Sequence, residues 1–329
     1  MDFPLVDLLN PQACYDYLLQ VLHPAGLACP RCRHPDGLGV HRCHRAPVLD
    51  YQCRHCGCVF NAWTNTLLAN LHRTPAEILL ILRGILQGIP TARLARELSC
   101  DRKHLLELRR KLQGLVEHSQ EQDPALVDKV TEADEMFQNA GEKGVPHTDP
   151  EDPPRRRANK QRGHGTFDND RPPVAGVVGR DSGEIRLELI HHTDQETLEA
   201  VVGDNTEAGA TVNTDEWGGY HGLAGMKRTH RTVCHSPTHR EWARDDDGDG
   251  IREVHTNTME GIWTGLRNFL RPFRGVSKHY LSQYVSIFQF QHNFKCVSTV
   301  VLRTLFGTAP LSTAFSSRAP RRTLRGSRR

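Results

Sequence analysis

No stretch of the chain stays apolar for the ~18 residues that a membrane-crossing helix requires, so no span is expected. The opening residues, MDFPLVDLLNPQ, lack the charged lead and apolar run of a secretory signal, which predicts a cytosolic protein. A large excess of one charge is missing too: 42 Lys+Arg stand against 39 Asp+Glu, a net +3. That balance excludes a uniformly basic or acidic chain, but it hides local asymmetry. SSRAPRRTLRGSRR (316–329) holds six arginines and no acid, and PPRRRANKQRGHG (153–165) is a second basic run. Both fit a polyanionic partner, and both equally fit solvated, unstructured segments. At 329 residues the chain has room for about two or three domains.

Cysteine is present in an uneven pattern. CPRC places Cys29 and Cys32, CRHC places Cys53 and Cys56, and 20 residues lie between the pairs. In a cytosolic chain such pairs read as metal ligands before disulfides. Each Cys-x-x-Cys is a tight knuckle, and two knuckles on facing hairpins give one tetrahedral zinc its four thiolates. Gly57 suits the turn, and Val59, Phe60 and Trp63 suit a small ribbon core. A closed all-thiolate site leaves no position open for catalysis, so its expected role is structural. The remaining cysteines, Cys14, Cys43, Cys58, Cys100, Cys234 and Cys296, have no such pairing and read as small core residues.

A helical stretch follows. TPAEILLILRGILQGI (74–89) opens with a Thr cap and Pro at the first helical position. TARLARELSC (91–100) is a short helix, and DRKHLLELRRKLQGLVEH (101–118) begins at an Asp cap. Two short helices across a tight turn, the second basic, form a helix-turn-helix pattern. On that reading Arg102, Lys103, His104, Arg109 and Arg110 bind DNA, with the first three placed to reach a groove. A plain three-helix bundle with a charged outer face gives the same spacing.

From about residue 125 the pattern turns to strands alternating with helices. LVDKVTEADEMFQ (126–138) reads as a strand, and PPVAGVVGR (172–180) with GEIRLELI (183–190) as a hairpin around RDSG. TDQETLEAVVGDN (193–205) reads as a helix with a Thr cap. GATVNTDEWGGY (209–220) opens as a strand that ends near Asp215. The polar, Pro-rich insert 141–171 reads as a mobile loop or arm. The whole predicts an α/β layout around one mixed sheet. Asp134, Asp215 and Glu260 stand out as acids at strand ends or on a helix, where sites of open sheets lie. Paired divalent cations held by carboxylates serve phosphodiester chemistry, yet Asp and Glu are also common as solvated surface residues.

CPRC…CRHCG, EADEMF, NTDEWGGYHGL and HTNTMEGIWTGLRNFLR…GVSKHYL occur in one order over residues 10–295. In these stretches the chain resembles the DDE transposases of the ISXO-type bacterial insertion sequences, related to eukaryotic Merlin elements. The resemblance implies a ribonuclease-H-like mixed sheet with flanking helices, and Mg²⁺- or Mn²⁺-dependent cutting and joining of DNA. It implies double-stranded DNA as partner (terminal inverted repeats and target), a homodimer or larger on DNA, and a nucleoid-associated location. Asp134 and Asp215 then match the metal-binding aspartates and Glu260 the third acid. Some relatives assign that last role to an Asn three residues earlier, where Asn257 stands here. Arg267 takes a place where relatives often carry Lys, on the same helix face as Glu260, to hold a DNA phosphate. His235 matches a histidine often found between the second and third acids. The expected domains are a zinc ribbon with an N-terminal helix (1–66), a helix-turn-helix module (67–122), a catalytic domain (123–300) and a basic, disordered tail (301–329).

Two local readings complete the expectation. In HTNTMEG, Asn257 suits an N-cap and Glu260, three residues on, a capping-box acid. In RDDDGDGIRE (244–253), Asp245, Asp247, Asp249 and Gly250 mimic the start of a calcium loop, but Thr256 occupies the twelfth position. An acidic surface turn is the expected outcome.

Overall fold

The computed structural model describes residues 4–294 except 122, 145–146, 148, 152, 154, 156–161 and 237. The expected tail, 301–329, and part of the 153–165 basic run lie outside the described residues. Two compact units divide the chain, one reaching Arg83 and one running from Gly84 to Lys295. Among the described residues no helix is long and apolar enough to cross a membrane.

The first unit opens with α1 (Pro11–Leu22). Asn10 caps it, its side chain accepting from the N–H groups of Gln12 and Ala13, with Pro11 at the first helical position. The helix buries Cys14, Tyr15, Leu18 and Val21, and Tyr15 meets Trp63 edge-on with ring centroids 5.7 Å apart. Strands β1 (Leu38–Arg45), β2 (Val48–Cys53) and β3 (Val59–Asn61) form an antiparallel sheet. Helix α2 (Pro75–Leu86) starts as its sequence predicts. Thr74 Oγ1 accepts from Glu77 N at 3.2 Å, and Glu77 Oε2 accepts from Thr74 N at 2.8 Å, a reciprocal capping box.

The second unit contains α3 (Thr91–Glu97) and α4 (Arg102–Gln120), the latter capped by Asp101, which accepts from His104 N at 2.8 Å. These helices are not set apart as a module of their own. Helix α4 packs along α7 (Lys278–Asn293). The sheet strands are β4 (Val130–Phe137), β5 (Pro173–Gly179), β6 (Ile185–Leu189), β7 (Thr211–Asp215) and β8 (Thr229–Val233), in the order β6-β5-β4-β7-β8. The pairs β4–β5 and β5–β6 are antiparallel; β4–β7 and β7–β8 are parallel. Three antiparallel strands extended on one side by two parallel ones make the ribonuclease-H-like mixed sheet that the resemblance implies.

Period-2 alternation along the strands gives the sheet two covered faces. On one, Met136, Val174 and Val178 pack under α6 (Asn257–Leu270) and α7 through Met259, Trp263, Leu266, Leu281 and Val285. On the other, Ala133, Ala175, Val177 and Val212 pack against Leu198, Val201 and Val202 of α5 (Gln195–Asn205) and against Tyr220. The cap of α5 is Asp194, which accepts from Thr197 N, and not Thr193. Strand β8 has no counterpart in the sequence reading, because its half-exposed pattern THRTV carries little apolar signal.

The insert departs from the loose arm its composition predicts. Where described, its ends are pinned by ions: Arg155 pairs with Glu142 at 2.7 Å and Asp170 at 2.8 Å, and buried Lys278 reaches Asp170 at 3.1 Å. Exposed Arg155 and buried Lys278 together meet both acids, which makes the burial of Glu142 and Asp170 tolerable.

Candidate active site

Glu132 pairs with Asn213 across the parallel β4–β7 ladder, so two residues on Asp134 and Asp215 stand side by side. By alternation both face α6. Asp134 Oδ2 accepts the indole N–H of Trp263 at 2.8 Å. Burial, then repulsion from Glu135 and Asp215, pushes Asp134 up to about 7, against the pull of that bond. Asp215 is also raised, first by burial; its Oδ1 accepts from Trp217 N at 3.0 Å, and His235 and His164 oppose the rise.

Glu135 belongs to the same neighbourhood and was not singled out from sequence. It points to the opposite face, where Tyr220 donates to its Oε2 at 2.7 Å, yet burial and Asp215 still raise it to about 7. Carboxylates that disfavour each other's charge are hard oxygen donors suited to a divalent cation, which reverses the repulsion. Among the described residues, the groups whose donor atoms all lie within 4.8 Å are the four cysteines and Asp245–Asp247–Glu253. Asp134, Asp215 and Glu260 do not converge that closely.

Glu260 lies in the first turn of α6, half exposed, with its Oε1 4.0 Å from His235 Nδ1. His235 donates its backbone N–H to Glu216 Oε2 at 2.8 Å and packs against Trp242, and its Nε2 is buried without a partner among the described residues. It therefore stands between the second and third acids in space as in sequence. Asn257 is the first helical residue and is exposed; the N-cap is Thr256, which makes no side-chain cap bond. The expected Asn257–Glu260 capping box is thus absent. Glu132, fully buried on β4, takes its place: Oε2 accepts from Thr258 N at 2.8 Å and Met259 N at 3.1 Å.

Two turns beyond Glu260, Arg267 and Arg271 line a cavity of about 280 Å³ together with Gln138 and Asn139. Neither arginine has a carboxylate partner among the described residues. Arg171 joins them from the insert, donating to Asn139 Oδ1 at 2.7 Å; burial and then Arg267 disfavour its charge. His164 stacks on Trp217 with centroids 4.7 Å apart, bringing the insert beside Asp215.

The residues expected to bind DNA divide. Arg102, Lys103 and His104 are exposed at the start of α4. Arg110 lies over the Tyr280 ring at 3.9 Å. Arg109 corrects the expectation: it is fully buried, donates to the Ile89 carbonyl and lies 5.5 Å over Phe273. The α4 stripe places position 109 inward with Leu105, Leu108 and Leu112, whatever its charge.

In the first unit the two knuckles meet. Cys29 Sγ lies 3.5 Å from Cys56 Sγ, and Cys32 Sγ lies 3.6 Å from Cys53 Sγ. That is far beyond the ~2.05 Å of a disulfide. It is close to the ~3.8 Å edge of a tetrahedron whose centre lies ~2.3 Å from each sulfur. Gly57, at φ +70°, completes its knuckle by donating to the Cys53 carbonyl at 2.8 Å. The four cysteines form a group that could hold a metal ion, as a zinc ribbon does. The 244–253 stretch is the expected acidic turn: Asp245 accepts from Gly248 N and Gly250 N, and Glu253 pairs with Arg231 at 3.1 Å.

The β6-β5-β4-β7-β8 sheet, covered by helices on both faces, is the mixed α/β fold in which these acids are set. Residues 132–293 match the ISXO2-like transposase domain, so this segment of the chain is a transposase domain of that type. A relative from Halobacterium salinarum, described as an uncharacterized protein in transposable element ISH50, is 26% identical over 311 residues. The match spans 93% of this chain and 99% of the relative. Among solved structures, a simian T-cell lymphotropic virus intasome in complex with PP2A regulatory subunit B56 gamma matches with TM-score 0.30 and 11% identity, over 65% of this chain and 68% of that one. A pre-cleavage Mos1 transpososome matches with TM-score 0.21 and 9% identity, over 62% and 73%. At those scores neither structure carries an argument about this protein.

Proposed function

We propose that the protein is an active transposase, which binds the terminal inverted repeats of its own insertion sequence, cleaves there and joins the freed 3′ ends to target DNA. The observation that carries this reading is that Asp134 and Asp215 lie two residues beyond the Glu132–Asn213 rung of adjacent parallel strands, near enough for Asp215 to repel the Asp134 charge. With Glu260 as the third acid, these residues would hold Mg²⁺ or Mn²⁺. Such ions supply an activated water or 3′-hydroxyl and stabilise the leaving oxygen.

The chain's own groups do the positioning. Trp263 orients the Asp134 carboxylate from below. His235 turns its Nδ1 toward Glu260 at 4.0 Å, beside the site. Arg267 and Arg271, uncompensated along the same helix, hold a flanking backbone phosphate, with the Arg171 guanidinium behind them. Arg102, Lys103 and His104 contact DNA from α4. Zn²⁺ at the four cysteines folds the ribbon and takes no part in the chemistry. Joining two ends calls for at least two chains on DNA.

Incubating the purified protein with Mg²⁺, a labelled fragment of its element's end and a target plasmid tests the reading. Joined products support it. Nicking without joining would make the protein a nuclease, and retention of DNA without either would make it a regulator derived from such an element.

A further inference from the structure

Glu132 is a carboxylate with no exposure to solvent, a costly placement unless the charge is met on every side. It is. Besides the two α6 amides, Oε1 accepts from the Thr258 hydroxyl at 2.7 Å and from Arg180 Nε at 2.9 Å, and His255 Nδ1 lies 3.2 Å away. Arg180 continues onto the chain entering the helix, donating to the carbonyls of Glu253 and of His255, the latter at 2.9 Å. A helix start needs partners for its first N–H groups and favours negative charge there. A local Ser, Thr or Asp would meet that need at less desolvation cost. What a cap from another strand adds is register: the start of α6 is fixed to β4 two residues from Asp134, on the same face.

We propose that Glu132 is a positioning residue for the catalytic centre. It sets where α6 begins along β4, and so holds Glu260 at the height of Asp134 and Asp215. This inference rests on the reading of Glu260 as the third acid.

Mn²⁺ binding to the full-length, zinc-loaded protein, followed by electron paramagnetic resonance, tests it alongside the Mg²⁺ dependence of cleavage. Glu132→Gln and Glu260→Gln should each weaken Mn²⁺ binding about 10-fold or more, the size of effect that residues supporting metal ligands have. The double variant should bind no more weakly than the worse single one, and the Mg²⁺ concentration for half-maximal cleavage should rise in step. Thr258→Val, an exposed substitution that removes one donor to Glu132, should shift both in the same direction by less, and it carries the test should Glu132→Gln fail to fold. A folded Glu132→Gln protein with a lowered melting temperature but wild-type Mn²⁺ affinity and Mg²⁺ requirement would overturn the proposal while leaving Glu260 in place. Wild-type Mn²⁺ affinity in Glu260→Gln would instead refute the third-acid assignment and this inference with it.

Discussion

Trp263 reaches Asp134 because Gly176 leaves room for it. Gly176 is the β5 partner of Asp134, and a Cβ there would lie 2.7 Å from the Trp263 ring, 2.6 Å from Leu187 and 2.8 Å from Met259. The indole rests on the bare backbone, and its N–H meets the carboxylate at 2.8 Å. Gly176→Ala should therefore destabilise the protein by about 1–3 kcal/mol through overpacking and reduce cleavage. Urea denaturation alongside an end-cleavage assay checks both.

Trp263→Phe keeps the apolar ring and deletes the donor. Hydrogen bonds to charged groups contribute about 1.5–3 kcal/mol, so this variant should lose that much at pH 8, where Asp134 is ionised, and less at pH 5. An equal loss at the two pH values would mean that the ring's packing, not its N–H, accounts for the effect.

Asp134 and Glu135, both raised to about 7, give stability a definite slope without divalent ions. Between the usual carboxylate range and about pH 7 the folded state holds more protons than the unfolded one. Stability therefore falls as pH rises through that window. Urea midpoints of the mixed-sheet transition, measured on zinc-loaded protein with no chelator and no added Mg²⁺ or Mn²⁺, should decline from pH 5.5 to 7.5, and Asp134→Asn should flatten the decline. The same substitution, like Asp215→Asn, should reduce cleavage and joining on the order of 10²-fold or more, comparable with the loss of one stabilising group at a reacting centre. Wild-type rates in either variant would remove that residue from the site.

Arg267→Ala should weaken binding to the element's end and to unrelated DNA alike, and reduce the slope of log K against log salt by about 1. A change confined to one sequence would instead make Arg267 a reader of bases.

Cys53→Ser should release the metal of the ribbon and unfold the first unit, as seen by loss of bound zinc in elemental analysis. The mixed sheet draws none of its core from the ribbon cluster of Cys29, Cys53 and Phe60, so its own melting transition should persist.

The parts of the fold legible in the sequence were those set by local pattern. The two knuckles, the Thr74 and Asp101 caps, the hairpin around residues 180–183 and the end of β7 at Asp215 each follow from residues close in the chain. Asp134, Asp215 and Glu260 are marked out as candidates only by the residues around them, since an acid at a strand end looks like any surface acid. Glu132 was invisible for a physical reason: its partners lie more than 45 residues away, and no periodicity marks a buried carboxylate as a cap. Arg109 misled for the converse reason. Its charge suggested a surface, while its place on the α4 stripe committed it to the interior.

Thr258 and Glu132 are 126 positions apart, and the side-chain bonds from Glu132 and Arg180 that hold the start of α6 span at least 48 positions. Contacts of such long range carry the largest closure entropy and form late. A nascent chain that has passed Asp215 but not yet emerged to Leu270 lacks α6, whose side chains cover Met136, Val174 and Val178. The order in which the ribosome delivers the chain thus leaves this face of the sheet incomplete until nearly the whole protein has been made.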